Sequence, residues 1–106
     1  MTPEAQRIAI AKACGWIRNE RDGWTHPNLK DRPRPLWALP DYLSDLNAMH
    51  EAEGILTDQQ QIDYARRLHP KQAKYDLLAD FIVAHATAAQ RAEAFLRTIG
   101  KWEESE

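Results

Sequence analysis

Trp16-Ile17-Arg18-Asn19-Glu20-Arg21-Asp22-Gly23-Trp24-Thr25-His26 is the stretch that decides the fold class. Asp-Gly is a strong tight-turn signal, because both residues tolerate the left-handed backbone that a two-residue hairpin needs. Its flanks, Trp-Ile and Trp-Thr, are aromatic and β-branched residues that suit a pleated surface. A short hairpin is the natural reading. Beyond it, Pro27, Pro33 and Pro35 forbid a helix and favour an extended surface loop. Leu36-Trp37-Ala38-Leu39 then reads as a third short strand, ended by Pro40. The fold class expected is α+β: a small antiparallel sheet over about residues 16–39, packed with four or five helices.

The helices are marked by their ends and their stripes. Thr2 suits an N-cap, Pro3 the first helical position, and Glu4 the positive end of the dipole, so a helix is expected over about 3–14. Gly15 can take the left-handed conformation that stops it. Ser44 reads as the cap of the next helix, whose stripe is Leu46, Met49, Ala52, Glu53 and Leu56. Thr57-Asp58-Gln59-Gln60 has the form of a capping box, opening a helix with Ile62, Ala65 and Leu68 inward. Residues 71–85 match helical spacing through Leu77, Leu78, Phe81, Ile82 and His85, although Asp80-Phe81-Ile82-Val83-Ala84 has strand composition at its centre. Thr87-Ala88-Ala89-Gln90 is a second capping box, followed by Ala88, Ala92, Phe95, Leu96 and Ile99 as a buried stripe. Gly100 stops it.

Composition sets the class of protein. The chain has 106 residues, 43% hydrophobic and 28% charged, which is one ordinary globular domain, residues 1–106. No run approaches the ~20 apolar residues that span a bilayer, so no membrane partner is expected. The opening Met1-Thr2-Pro3-Glu4-Ala5-Gln6-Arg7 lacks the pattern of a signal peptide. One cysteine cannot make an internal disulfide, so a reducing cytoplasm fits. Fourteen basic and sixteen acidic residues give a net charge of −2, so nucleic acid is not the expected partner.

The residues that could carry chemistry have plainer readings beside them. His50 and Glu53 lie three apart on one helix face, a spacing that binds metal only when a second helix adds ligands. It is not the two-histidine zinc motif, and no metal or cofactor is expected. Cys14 falls at the negative end of its helix, which disfavours thiolate and favours a structural role. Ser44 and Ser105 lack a nucleophile elbow, and the four glycines form no phosphate loop, so an enzyme is the weaker reading. Binding is the stronger one. The segment 66–75 holds Arg66, Arg67, Lys71 and Lys74 with no acid, and the tract 18–34 mixes Arg32 and Arg34 with Trp24. Four tryptophans exceed the one or two that about 106 residues of average composition would hold. Trp24 and Trp37 could build a core or present an interface, where tryptophan is enriched. The candidate binding residues are therefore Trp24, Arg32, Arg34, Trp37, Arg66 and Arg67.

Two long runs carry a resemblance. Leu39-Pro40-Asp41-Tyr42-Leu43-Ser44-Asp45-Leu46-Asn47-Ala48-Met49-His50-Glu51-Ala52-Glu53 resembles the central segment of the phage ABA-sandwich domain family. His85-Ala86-Thr87-Ala88-Ala89-Gln90-Arg91-Ala92-Glu93-Ala94-Phe95-Leu96-Arg97-Thr98-Ile99-Gly100-Lys101-Trp102-Glu103 resembles its closing helix, and Ala13-Cys14-Gly15-Trp16 is similar as well. The resemblance implies an α/β/α sandwich made in the cytoplasm of a bacterial host from a phage or prophage gene, with no established activity. The sequence departs from that pattern where residues 71–84 read as helix rather than strand. The function expected is that of a non-enzymatic accessory protein binding a host or phage macromolecule, with a protein as the expected partner and a homo-oligomer as a further option, for example an inhibitor of a bacterial defence system such as an anti-CRISPR. The alternatives are an oligomeric protein that sequesters a nucleotide signal and, more remotely, a metal-dependent enzyme.

Overall fold

The computed structural model describes residues 1–18, 23–26, 39–69, 81 and 83–104. Among them are four α-helices and a two-stranded antiparallel ribbon, an α+β arrangement. The first helix, α1, runs Pro3–Ala13. Thr2 caps it through Oγ1, which accepts from the Ala5 amide at 3.0 Å and satisfies one of the orphan donors of the first turn. Gly15 follows with a φ of +99°, and a Cβ there would lie 3.2 Å from His26 Nε2. Glycine is therefore needed twice over, for the backbone and for the close approach of His26.

The hairpin forms where the sequence places it. Strand β1 is Ile17–Arg18 and β2 is Trp24–Thr25, with Ile17 opposite Thr25 and Arg18 opposite Trp24. The turn at 19–22, the proline-rich loop at 27–35 and the third strand expected at 36–38 lie outside the described residues. Leu39 is described, and it is buried in a bend rather than in a strand. Arg7 of α1 holds this bend, donating from Nε to the Pro40 carbonyl at 3.0 Å and from Nη2 to the Leu39 carbonyl.

Three helices complete the fold: α2 (Leu46–Glu53), α3 (Asp58–Leu68) and α4 (Ala88–Thr98). Both capping boxes are present. Thr57 and Gln60, and likewise Thr87 and Gln90, exchange side-chain and backbone hydrogen bonds. Asp45, not Ser44, caps α2. Its Oδ1 accepts from the Asn47 amide at 2.9 Å, whereas Ser44 belongs to the turn before it, where its own amide bonds the Asp41 carbonyl. Of the helix expected at 71–85, residues 71–80 and 82 lie outside the described residues, while Phe81, Val83 and Ala84 are helical.

Helix α4 is the centre of the packing and touches α1, α2 and α3. Ala88, Arg91, Ala92, Ala94, Phe95 and Leu96 are buried along it, a face wide enough for three neighbours. Its small alanines let those neighbours approach, and Phe95 and Leu96 fill the space between them. Trp24, Ile10 and Met49 are the other large buried side chains. Two expected stripes are corrected. Leu46 is exposed at the first position of α2, while Met49, Ala52 and Leu56 are buried. On α3 the buried residue is Tyr64, with Leu68 one turn later; Ile62 and Ala65 are exposed. Ile62 is two residues from Tyr64, about 200° around the helix, and so points the other way.

Candidate functional site

Charged and aromatic side chains gather at three places, and their geometry separates structural roles from a binding role. At the first, α1 ends under the hairpin. His26 Nε2 lies 2.9 Å from the Cys14 carbonyl oxygen, and its ring meets Trp16 edge-on with centroids 5.3 Å apart. Trp24 is buried on the same hairpin, with 2% of its surface exposed. Burial pushes the Cys14 thiol up from its ordinary value; a hydrogen bond with Tyr42 opposes this, and the Glu51 charge adds to it. Tyr42 is raised as well, chiefly by burial and then by Cys14. A thiol in this setting stays protonated at neutral pH. Alkylation of Cys14 by iodoacetamide at pH 8 is expected to run at least about tenfold slower than that of a free cysteine peptide. A rate equal to the peptide's, followed by mass spectrometry, would contradict the packing described.

The second place lies between α2, α3 and α4, beside a cavity of about 310 Å³. Arg91 is 8% exposed and spends its guanidinium on backbone. Its Nε donates to the Ala86 carbonyl at 3.1 Å, and Nη2 to those of Val83 at 3.0 Å and Ala84 at 3.4 Å. Its Nη1 stands 3.7 Å from Glu53 Oε2. Burial raises the Tyr64 phenol, the Glu53 charge raises it further, and Arg91 works against both. His50 Nδ1 sits 3.3 Å from Glu53 Oε1 at the exposed edge. These groups hold one another and the carbonyls of Val83, Ala84 and Ala86. Among the described residues, no three of His, Cys, Asp and Glu come together as metal ligands.

The third place is outward. A groove of about 210 Å³ runs between α3 and α4, with Arg67 on one side, Arg97 and Glu93 on the other, and Ala86, Gln90 and Ala94 along it. Arg97 is held in position: Nη2 lies 3.1 Å from Glu104 Oε1 and 3.6 Å from Glu93 Oε1, and its guanidinium carbon is 4.8 Å from the Trp102 ring centroid. Arg66 and Arg67 are exposed and, among the described residues, make no ion pair. Ile62 shares the outer row of α3 with Arg66 at a spacing of four and is 47% exposed. Arg66 follows Ile62 on that outer row, whereas Arg67, a further 100° round the helix, lines the groove beside α4, so the outer row offers one cation beside one apolar side chain, a pairing that suits a carboxylate next to an apolar contact.

The candidates named from sequence therefore divide. Arg66 and Arg67 stand together on α3 and are exposed. Trp24 belongs to the core, because the hairpin turns its ring inward, so it presents no aromatic face to a partner. Arg32, Arg34 and Trp37 lie outside the described residues. Arg97 and Ile62 were not among the candidates. Arg97 carries no signal of its own in sequence, and Ile62 had been assigned to the core. No described helix is long and apolar enough to cross a membrane. Compared with models of known families, with curated proteins and with solved structures, the chain finds no match in any of the three.

Proposed function

We propose that this chain is a non-enzymatic phage or prophage accessory protein that binds an acidic protein surface in the bacterial cytoplasm. The observation that supports this reading is the exposed Arg66 beside Ile62 on the side of α3 away from the buried Tyr64, with the exposed Arg67 next to it at the edge of the groove. In the groove between α3 and α4, Arg97 is already paired with Glu93 and Glu104, so among the described residues Arg67 is the cation there left to meet a partner's carboxylate. The phage setting rests on the runs at 39–53 and 85–103 that resemble the phage ABA-sandwich family. Inhibition of a host defence complex, as an anti-CRISPR protein achieves, is one activity that such a contact delivers.

The experiment is a pull-down from the bacterial host, followed by affinity measurement on the purified partner. Arg66→Glu with Arg67→Glu is expected to weaken binding at least tenfold, as charge reversal places like charges across the contact. Both positions are exposed, so the circular dichroism spectrum should be unchanged. A partner held equally well by the double variant would remove α3 as the contact.

A further inference from the structure

One flank of α1, beside the buried Ala11, is partly apolar and has a charge pattern of its own; its Ile8, Ala9 and Ala13 pack against the core and are also partly exposed. Ile10 and Ala11 face inward with no exposed surface. Along this flank lies a groove of about 540 Å³ lined by Ala5, Ile8, Ala9 and Ala13, with Met1 and the exposed Lys12, Lys101 and Glu103. Glu4, Ile8 and Lys12 follow at intervals of four, so they form one row along the helix. Its ends are opposite in charge and its middle is apolar. Among the described residues, neither Glu4 nor Lys12 has an ion-pair partner.

We propose that this face binds a second copy of the chain, α1 against α1, in antiparallel orientation. Ile8 is the midpoint of the row. A two-fold axis at Ile8 sets Glu4 of each copy opposite Lys12 of the other and brings the two isoleucines together. A parallel arrangement would instead oppose like charges. Self-complementarity of this kind is what an isologous contact requires. Rows at a spacing of four are also the ridges that interdigitate in the commonest helix packing. The contact is small: a helix of this length spans ~16 Å, and stable interfaces bury ~1,200–2,000 Å². The dimer is accordingly weak, with a Kd on the order of tens of micromolar, and it leaves the α3 surface open.

Sedimentation of the full chain between micromolar and sub-millimolar concentration tests this. Wild type should self-associate. Lys12→Glu and Glu4→Lys should each weaken association at least tenfold, and the double exchange should restore it to within about threefold of wild type. Both positions are exposed, and circular dichroism verifies that each variant is folded. A chain monomeric throughout, single variants that dimerise like wild type, or a double variant as weak as the singles would each overturn the proposal.

Discussion

Arg91→Ala is expected to remove about 3–5 kcal/mol of stability, because it strips a half-buried carboxylate of its cation and takes a buried guanidinium donor from three carbonyls. For a small domain, whose whole stability is ~5–15 kcal/mol, that is enough to approach unfolding. The position explains the size. Arg91 stands on the inward face of the central helix, where Ala88, Ala92 and Phe95 are also buried, and its guanidinium closes the carbonyls of Val83, Ala84 and Ala86. Arg91→Lys keeps the charge but has no fork of donors, and is expected to recover less than half of the loss. Glu53→Gln in the Arg91→Ala background should recover part of it, since the orphaned charge is then gone. Urea unfolding of the four proteins reads all of this. A loss under about 1 kcal/mol for Arg91→Ala would mean that the pair contributes nothing net.

That arginine also shows how far the sequence could be read. Most ends were legible, because caps are local chemistry: Thr2, Thr57 and Thr87 each bond an amide three residues on, and Gly15 and Gly100 take positive φ, whereas the cap of α2 is Asp45 and not the expected Ser44. The hairpin was legible for the same reason. Faces were harder. Ile62, Ala65 and Leu68 fit helical spacing as well as Tyr64 and Leu68 do, and only the tertiary contact with α4 chooses between them. Glu53 was already on its helix's stripe; Arg91, left out of the stripe of the last helix, was the overlooked signal. Arg91 lies three after Ala88 and four before Phe95, and Glu53 lies four after Met49, so each charge sits on an inward row. Two opposite charges so placed have to meet or go unpaired in the core. The candidate site was half legible: Arg66 and Arg67 stand out as adjacent cations opening a segment, 66–75, that holds no acid. Arg97 becomes part of a groove only once α3 lies beside α4.

Trp24→Ala is expected to act on stability rather than on a binding surface. The side chain is 2% exposed, lies in β2 opposite Arg18, and belongs to the same core as Ile10 and Phe95. Removing a buried tryptophan costs about 3–5 kcal/mol, from lost burial and from the cavity left behind. At roughly 4–8 °C per kcal/mol for a domain near this size, the melting temperature should fall by more than about 10 °C. Trp24→Phe keeps most of the volume and should fall much less. The pair of variants separates two ideas that either alone would confuse. If Trp24 touched a partner, Trp24→Phe would lose binding while remaining folded. As a core residue, Trp24→Phe keeps both fold and partner, and Trp24→Ala loses the partner only as it loses the fold. A stable Trp24→Ala protein with abolished partner binding would return this tryptophan to the surface and move the interface from α3 to the hairpin.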